Sequence, residues 1–141
     1  MRQAPSERWC TVDAVSVLAP ASVSSKFVSA VERAWTRETS SAPEAWSPAN
    51  PAFGQCAVTA LVVQDFYGGS LLRVQVGDVS HYWNVLPDGT ELDLTRQQFG
   101  GEIETSGSEL RDRAYVLSFP ETARRYGILR ARVDASARPA A

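Results

Sequence analysis

The chain has 141 residues, 44% of them hydrophobic and 21% charged, which is apolar material for one continuous core and too little length for two. A net charge of −2 leaves no overall footprint for nucleic acid. Seven of the 14 basic residues fall between Arg111 and Arg138, but such a run reads as a solvated helix face. We therefore expect a single domain over 1–141 with its core at about 10–133, and loose ends at 1–8 and 134–141 (DASARPAA), which are polar or small-residue segments.

From Ser24 to about Arg37, Phe27, Val31, Ala34 and Trp35 recur at helical spacing, with Ser22, Ser24 or Ser25 available as N-cap, so an amphipathic helix is expected. SSAPEAWSPANP, with three prolines, is a loop that delivers the chain to Gly54. The helix expected from Gln55 to Tyr67 is apolar nearly all round, which belongs in the middle of a fold, and Gly68-Gly69 stops it. LLRVQV and SHYWNVL are strand-like, PDGT is a tight turn with Gly89 at the position needing positive φ, and ELDLT is the returning strand. Residues 96–109 read as an exposed loop, RAYVLSF as a further strand, and a helix from Pro120 carries Glu121 and Arg125 at i,i+4, weakened by Gly127.

No apolar stretch reaches the ~20 residues that cross a bilayer, and MRQAPSERWC lacks the apolar centre of a signal peptide, so no membrane partner is expected and the expected location is the cytoplasm. Cys10, Cys56 and a single histidine, with no CxxC pair, do not make a structural zinc site, and a Cys10–Cys56 disulfide does not suit a cytosolic chain. Neither metal nor cofactor is expected.

Cys56 opens the apolar helix, where unpaired N–H groups and the positive dipole end favour thiolate over thiol. His81 and Asp93 lie twelve residues apart on strands joined by a short turn, and a pairing centred between Asp88 and Gly89 is expected to place Ser80 or His81 nearly opposite Asp93 or a neighbour. Cross-strand neighbours are ~5 Å apart at Cβ and ~7–8 Å on the diagonal, within reach of an imidazole–carboxylate hydrogen bond. With the helix start against this meander, Cys56, His81 and Asp93 are a nucleophile, a base and an orienter. Gln55 either donates to an oxyanion or solvates the helix start, the N–H of Cys56 being the better oxyanion donor. Trp83, on the strand face of His81, walls the site or fills the core. Trp46 and Asn50, in the loop before Gly54, complete the candidate substrate contacts.

The string HYWNVLPDGTELDLT resembles the histidine and aspartate segment of the transglutaminase-like superfamily. The set NPAFGQCAVTA, DFYGG, HYWN and DLTRQQF resembles the YunG-like family of small bacterial proteins, over about residues 46–99. The resemblance implies an α+β fold of papain-like or transglutaminase-like type, with a central helix bearing Cys56 packed on an antiparallel sheet bearing His81 and Asp93. It also implies cysteine-dependent acyl transfer: amide or peptide hydrolysis, deamidation or transamidation of a peptide, amide or small acyl substrate. Gln55 departs from the papain pattern, in which the oxyanion-hole glutamine lies several residues before the cysteine. Two other readings stand beside this one: a catalytically silent domain that binds a peptide or a partner, with Cys56 as a packing residue, and a toxin-like deamidase acting on a host protein.

Overall fold

The computed structural model describes residues 23–137. The expectations for residues 1–8 and 10–22, including Cys10, lie outside the described residues. Helix α1 (Ser25–Ala34) starts where Ser24 Oγ accepts the N–H groups of Lys26 at 3.1 Å and Phe27 at 3.3 Å. Phe27, Val28, Ala30, Val31 and Ala34 make its buried face. The helix stops three residues earlier than its apolar spacing suggests, because Trp35 turns to extended backbone and its Nε1 donates to Thr59 Oγ1 at 2.9 Å. A 3-10 turn, Arg37–Thr39, follows.

Helix α2 (Cys56–Tyr67) is the centre of the molecule: Val58, Leu61, Val62 and Val63 are each at most 1% exposed. Full burial of each such side chain contributes about 1.5–3 kcal/mol, so this helix anchors the core. Phe66 breaks the expected pattern at 40% exposed. It sits near the helix end, in an open groove with Phe27, Tyr67 and Val133, and meets Phe27 at a tilt with ring centroids 5.0 Å apart, under the Arg130 guanidinium at 5.0 Å.

Strands β1 (Ser70–Val76), β2 (Val79–Val85), β3 (Glu91–Leu92) and β4 (Glu109–Arg111) form one antiparallel sheet in the order β3-β2-β1-β4. Gly69, at φ +86°, lies so close to the Val85 carbonyl that a Cβ would overlap it, which explains a glycine at the entry to β1. Gly89 has the positive φ its turn requires, 89°. The returning strand is only two residues long because Asp93 leaves the ladder to meet His81. Asn84 on β2 donates to the Ala60 carbonyl at 2.9 Å, holding the even-numbered face of that strand against α2.

The C-terminal part differs most from expectation. RAYVL is not a strand but helix α3 (Arg113–Leu117), with Val116 alone buried; one inward residue in five fits a helical turn against α2 and not the alternation of a strand. The edge strand is the preceding ELR segment. Residues 96–109 are not all exposed loop, since Arg96–Phe99 form a 3-10 turn with Gln98 buried. Helix α4 (Pro120–Ala137) runs through Gly127 and takes in 134–137, expected to be loose, where Arg130 Nε pairs with Asp134 at 3.0 Å. Glu121 pairs with Arg124, not Arg125.

Three arginines of the basic run reach acids on other elements. Arg113 and Arg130 grip Asp65 of α2 at 2.6 and 2.8 Å, and the Tyr126 hydroxyl donates to the same carboxylate at 2.5 Å. Arg132 reaches the Ala34 carbonyl at 2.9 Å and Thr36 Oγ1 at 2.8 Å and pairs with Glu38. Those arginines fasten α3 and α4 to α2 and to the end of α1.

Candidate active site

The approach to Cys56 is set by backbone sterics. Gly54 stands at φ +74°, and a Cβ there would overlap Ser40 Oγ and lie 2.9 Å from Ser41 N. Ser41 N–H donates to the Gly54 carbonyl at 2.9 Å and the Ser40 hydroxyl to the Phe53 carbonyl at 2.9 Å, so residues 53 and 54 are pinned just before the helix. Gln98, from the 3-10 turn, accepts the Gly54 N–H at 3.2 Å, and its carbonyl accepts Asn50 Nδ2 at 3.0 Å. The loop before the helix and the turn after β3 are thereby stitched together around the site.

His81 is fully buried and Asp93 is 2% exposed. The β2–β3 register pairs Asn84 with Leu92, so Asp93 follows opposite Trp83, not Ser80 or His81 as expected, and reaches His81 along the diagonal. His81 Nε2 and Asp93 Oδ2 are 2.6 Å apart. Arg96 Nε donates to the same oxygen at 2.7 Å, while Oδ1 takes the Thr95 N–H at 3.2 Å and its hydroxyl at 3.4 Å. The Asp-x-Thr spacing thus holds one carboxylate oxygen from its own turn and leaves the other for the two cations. Trp83 stacks on the imidazole with centroids 5.5 Å apart and planes at 19°, and Phe99 meets the ring edge-on at 4.9 Å.

Burial pulls the imidazole pKa down, but the Asp93 hydrogen bond, the neighbouring Cys56 and the charge of Asp93 outweigh it, so His81 is pushed up to about 9 from 6.5. It therefore holds its proton at neutral pH. Its Nδ1 is buried and has no hydrogen-bond partner, although Cys56 is close enough to influence the ring. Cys56 is 7% exposed, and its Sγ lies 3.4 Å from the Ser80 carbonyl, to which the thiol donates. The first turn of α2 receives no side-chain cap from Gln55, which leaves its N–H groups uncommitted.

The other candidate residues hold the scaffold. Gln55 does not solvate the helix start: it is fully buried and its Nε2 donates to the Thr36 carbonyl at 3.0 Å. Trp83 fills the core and walls the imidazole at once, with its Nε1 donating to Glu91 at 2.9 Å. Trp46 donates its indole N–H to the Pro51 carbonyl at 2.9 Å and carries Arg37 over its ring, and Asn50 is spent on the Gln98 carbonyl. Sequence reasoning passed over Gln98 and Phe99, although both stand in the DLTRQQF string.

Among the described residues no group of three or more His, Cys, Asp or Glu could hold a metal ion, and no helix is long and apolar enough to cross a membrane. No solved structure matches the chain. It is 38% identical over 74 residues to "Uncharacterized protein YunG" of Bacillus subtilis (strain 168), a match that takes in 52% of this chain and 61% of that relative, so the chain spans less than two thirds of the relative's length. The family described as YunG protein matches residues 24–138, nearly all of the region whose fold and site are described above. The chain belongs to the YunG family.

Proposed function

We propose that this protein is a cysteine-dependent acyl-transfer enzyme in which Cys56 is the nucleophile, His81 its proton partner and Asp93 the group that orients the imidazole. The observation that carries the reading is the buried His81–Asp93 pair, at 2.6 Å, whose other ring nitrogen is left unpartnered beside Cys56 at a helix start. A doubly protonated ring buried with one N–H unsatisfied is costly unless an anion stands against it. A thiolate is the anion at hand. Rotation of Cys56 about χ1, away from the Ser80 carbonyl, exchanges a weak neutral hydrogen bond for that ion pair.

The thiolate then attacks a carbonyl carbon, and the oxyanion is met by the uncommitted N–H groups of the first turn of α2. His81 gives its proton to the leaving group as the acyl-enzyme forms, and water or an amine resolves the thioester while His81 takes a proton back. Asp93 fixes the tautomer throughout, and Arg96 and Thr95 fix Asp93. Helix, hairpin and returning strand in this order support a papain-like or transglutaminase-like core.

The second reading, a silent binding domain, is favoured by the near-complete burial of Cys56 and its hydrogen bond to Ser80. Alkylation separates the two. In a Cys10→Ser background, iodoacetamide should label Cys56 rapidly in the folded chain if thiolate and imidazolium are paired, and His81→Asn should slow that labelling sharply. Acyl-enzyme formation with an activated ester should vanish in Cys56→Ser and His81→Asn and fall more mildly in Asp93→Asn. A Cys56 that stays inert until the chain unfolds would hand the assignment to the binding domain.

A further inference from the structure

The Asp93 carboxylate is divided between two kinds of partner. Its Oδ1 is held from its own turn by the N–H and the hydroxyl of Thr95, at 3.2 and 3.4 Å. Its Oδ2 takes two donors at once, His81 Nε2 at 2.6 Å and Arg96 Nε at 2.7 Å. Two cations on one oxygen lie within the ~4–6 Å over which like charges oppose each other's ionisation. The side chains of His81 and Asp93 are at most 1% exposed and that of Arg96 is 12% exposed, so solvent and salt screen these charges little.

A second contact fixes the same guanidinium. It lies over the Trp83 ring at 5.9 Å, and Trp83 in turn stacks on the imidazole at 5.5 Å. Arg96 is therefore gripped on two sides, and its charge is held beside the histidine. Its Nη2 is buried without an acceptor, an arrangement that costs stability, so holding the fold together is a poor account of this side chain. Asp93 has an anchor of its own besides, in the Thr95 contacts to Oδ1. The other neighbours of the ring among the described residues add no second cation. Cys56 stands on the α2 side, β1 sets apolar Val74 opposite His81, Arg73 of that strand is spent on Ser80 Oγ, and Glu91 of β3 meets Trp83 Nε1.

We propose that Arg96 is a positioning residue that sets how firmly His81 holds its proton: its permanent charge, seated on the Asp93 oxygen that the imidazolium also uses, favours the neutral ring. Arginine does not give up its own proton in a protein, so the mutual repulsion falls on the histidine. This deepens the acyl-transfer reading and rests on it for its catalytic consequence. In that reading the proton that leaves is the one on Nδ1. The Nδ1–H bond breaks as the leaving group takes the proton, and the neutral ring keeps its Nε2 proton on Asp93. An imidazolium facing the carboxylate alone would hold the Nδ1 proton more tightly and release it more slowly. Arg96 offsets part of the pull of Asp93 and brings proton release back toward neutral pH.

The chain has one histidine, so the ring signals of His81 in a heteronuclear NMR titration are unambiguous. The titration is run on the full chain carrying Cys56→Ser, in which no thiol titrates beside the ring. Arg96→Gln and Arg96→Met should each make the ring bind its proton about tenfold more tightly, moving the midpoint to higher pH. Arg96→Lys, which restores a cation, should return the midpoint most of the way to that of the Cys56→Ser chain. If Arg96 only steadied Asp93, its loss would loosen the His81–Asp93 pair, and the midpoint would fall toward the ordinary 6.5 instead. An unchanged or lowered midpoint in Arg96→Gln or Arg96→Met, with tryptophan fluorescence showing the variant folded, therefore overturns the proposal and leaves the acyl-transfer reading in place. In chains that keep Cys56, the alkaline decline in turnover of an activated ester should move to higher pH with Arg96→Gln. The expected titrations in a chain that forms no acyl-enzyme would refute the acyl-transfer reading and leave the tuning of His81 standing.

Discussion

Gly54→Ala is the substitution through which backbone geometry and reactivity can be tested together. A residue with a Cβ at φ +74° costs about 1–2 kcal/mol from left-handed sterics alone. The new methyl also occupies the space of Ser40 Oγ, so the 2.9 Å hydrogen bond from Ser40 to the Phe53 carbonyl is lost, at about 1 kcal/mol. Ser41 N cannot move aside freely, because it lies 2.9 Å from the added Cβ and donates to the carbonyl of residue 54 itself. The expected loss of stability is therefore roughly 2–4 kcal/mol. Urea denaturation followed by tryptophan fluorescence, with four tryptophans in the chain, measures it directly. Because the strain falls two residues before Cys56, labelling of Cys56 by iodoacetamide under native conditions should also slow more than in a core variant of equal instability. A loss below about 0.5 kcal/mol, within the range of ordinary surface substitutions, would show that the loop before α2 is not held as described.

Leu61→Ala, at a fully buried position in the middle of α2, should cost about 2–5 kcal/mol in the same denaturation assay, and a value near zero would remove α2 from the centre of the core. His81 titrates at about 9 in the folded protein and ordinarily at 6.5, so folding takes up a proton between these values. The stabilisation is complete below about pH 6.5 and is lost as pH rises through about 9. In the parent the shift corresponds to about 3 kcal/mol between pH 6 and pH 10; in Cys56→Ser the fall should be smaller, because Cys56 contributes part of it, and Asp93→Asn added to that background should flatten the curve. Turnover of an activated ester by the parent chain should decline above about pH 9, when the imidazolium can no longer protonate the leaving group.

The legible parts of this chain were those fixed by local chemistry. The α2 helix announced itself by an apolar run closed by two glycines, and the turn at Gly89 by its residue types. The closeness of His81 and Asp93 followed from their spacing about that turn, because sheet register is set by the turn. What stayed hidden depended on neighbours remote in sequence. Nothing local separates Gln97, which is exposed, from Gln98, which is buried against Gly54. The amide of Gln55 is taken by Thr36, nineteen residues away, so its burial could not be read from the GQC triplet. RAYVL has the aromatic and branched residues of a strand and became helix because β1 already had its partner in Glu109–Arg111. The arginines of α4 look alike in sequence, and only the acids they meet tell the clamps, Arg130 and Arg132, from Arg124, which pairs within its own helix.

The clasp that Arg132 makes on the end of α1 bears on how the chain reaches this fold. The hydrogen bond from Arg132 to the Ala34 carbonyl spans 98 residues. Closing a flexible loop of that length costs about 4 kcal/mol in chain entropy, whereas the β1–β2 hairpin pairs Val76 with Val79 across an adjacent turn. Transition-state ordering should accordingly begin in the hairpin and its contacts with α2, and the joining of the first and last helices should come late, with its contribution felt in the rate of unfolding more than in the rate of folding. Cys56, His81 and Asp93 all lie in the early-ordering stretch, while the last helix docks late. The candidate site is thus assembled before the two ends of the described chain are joined.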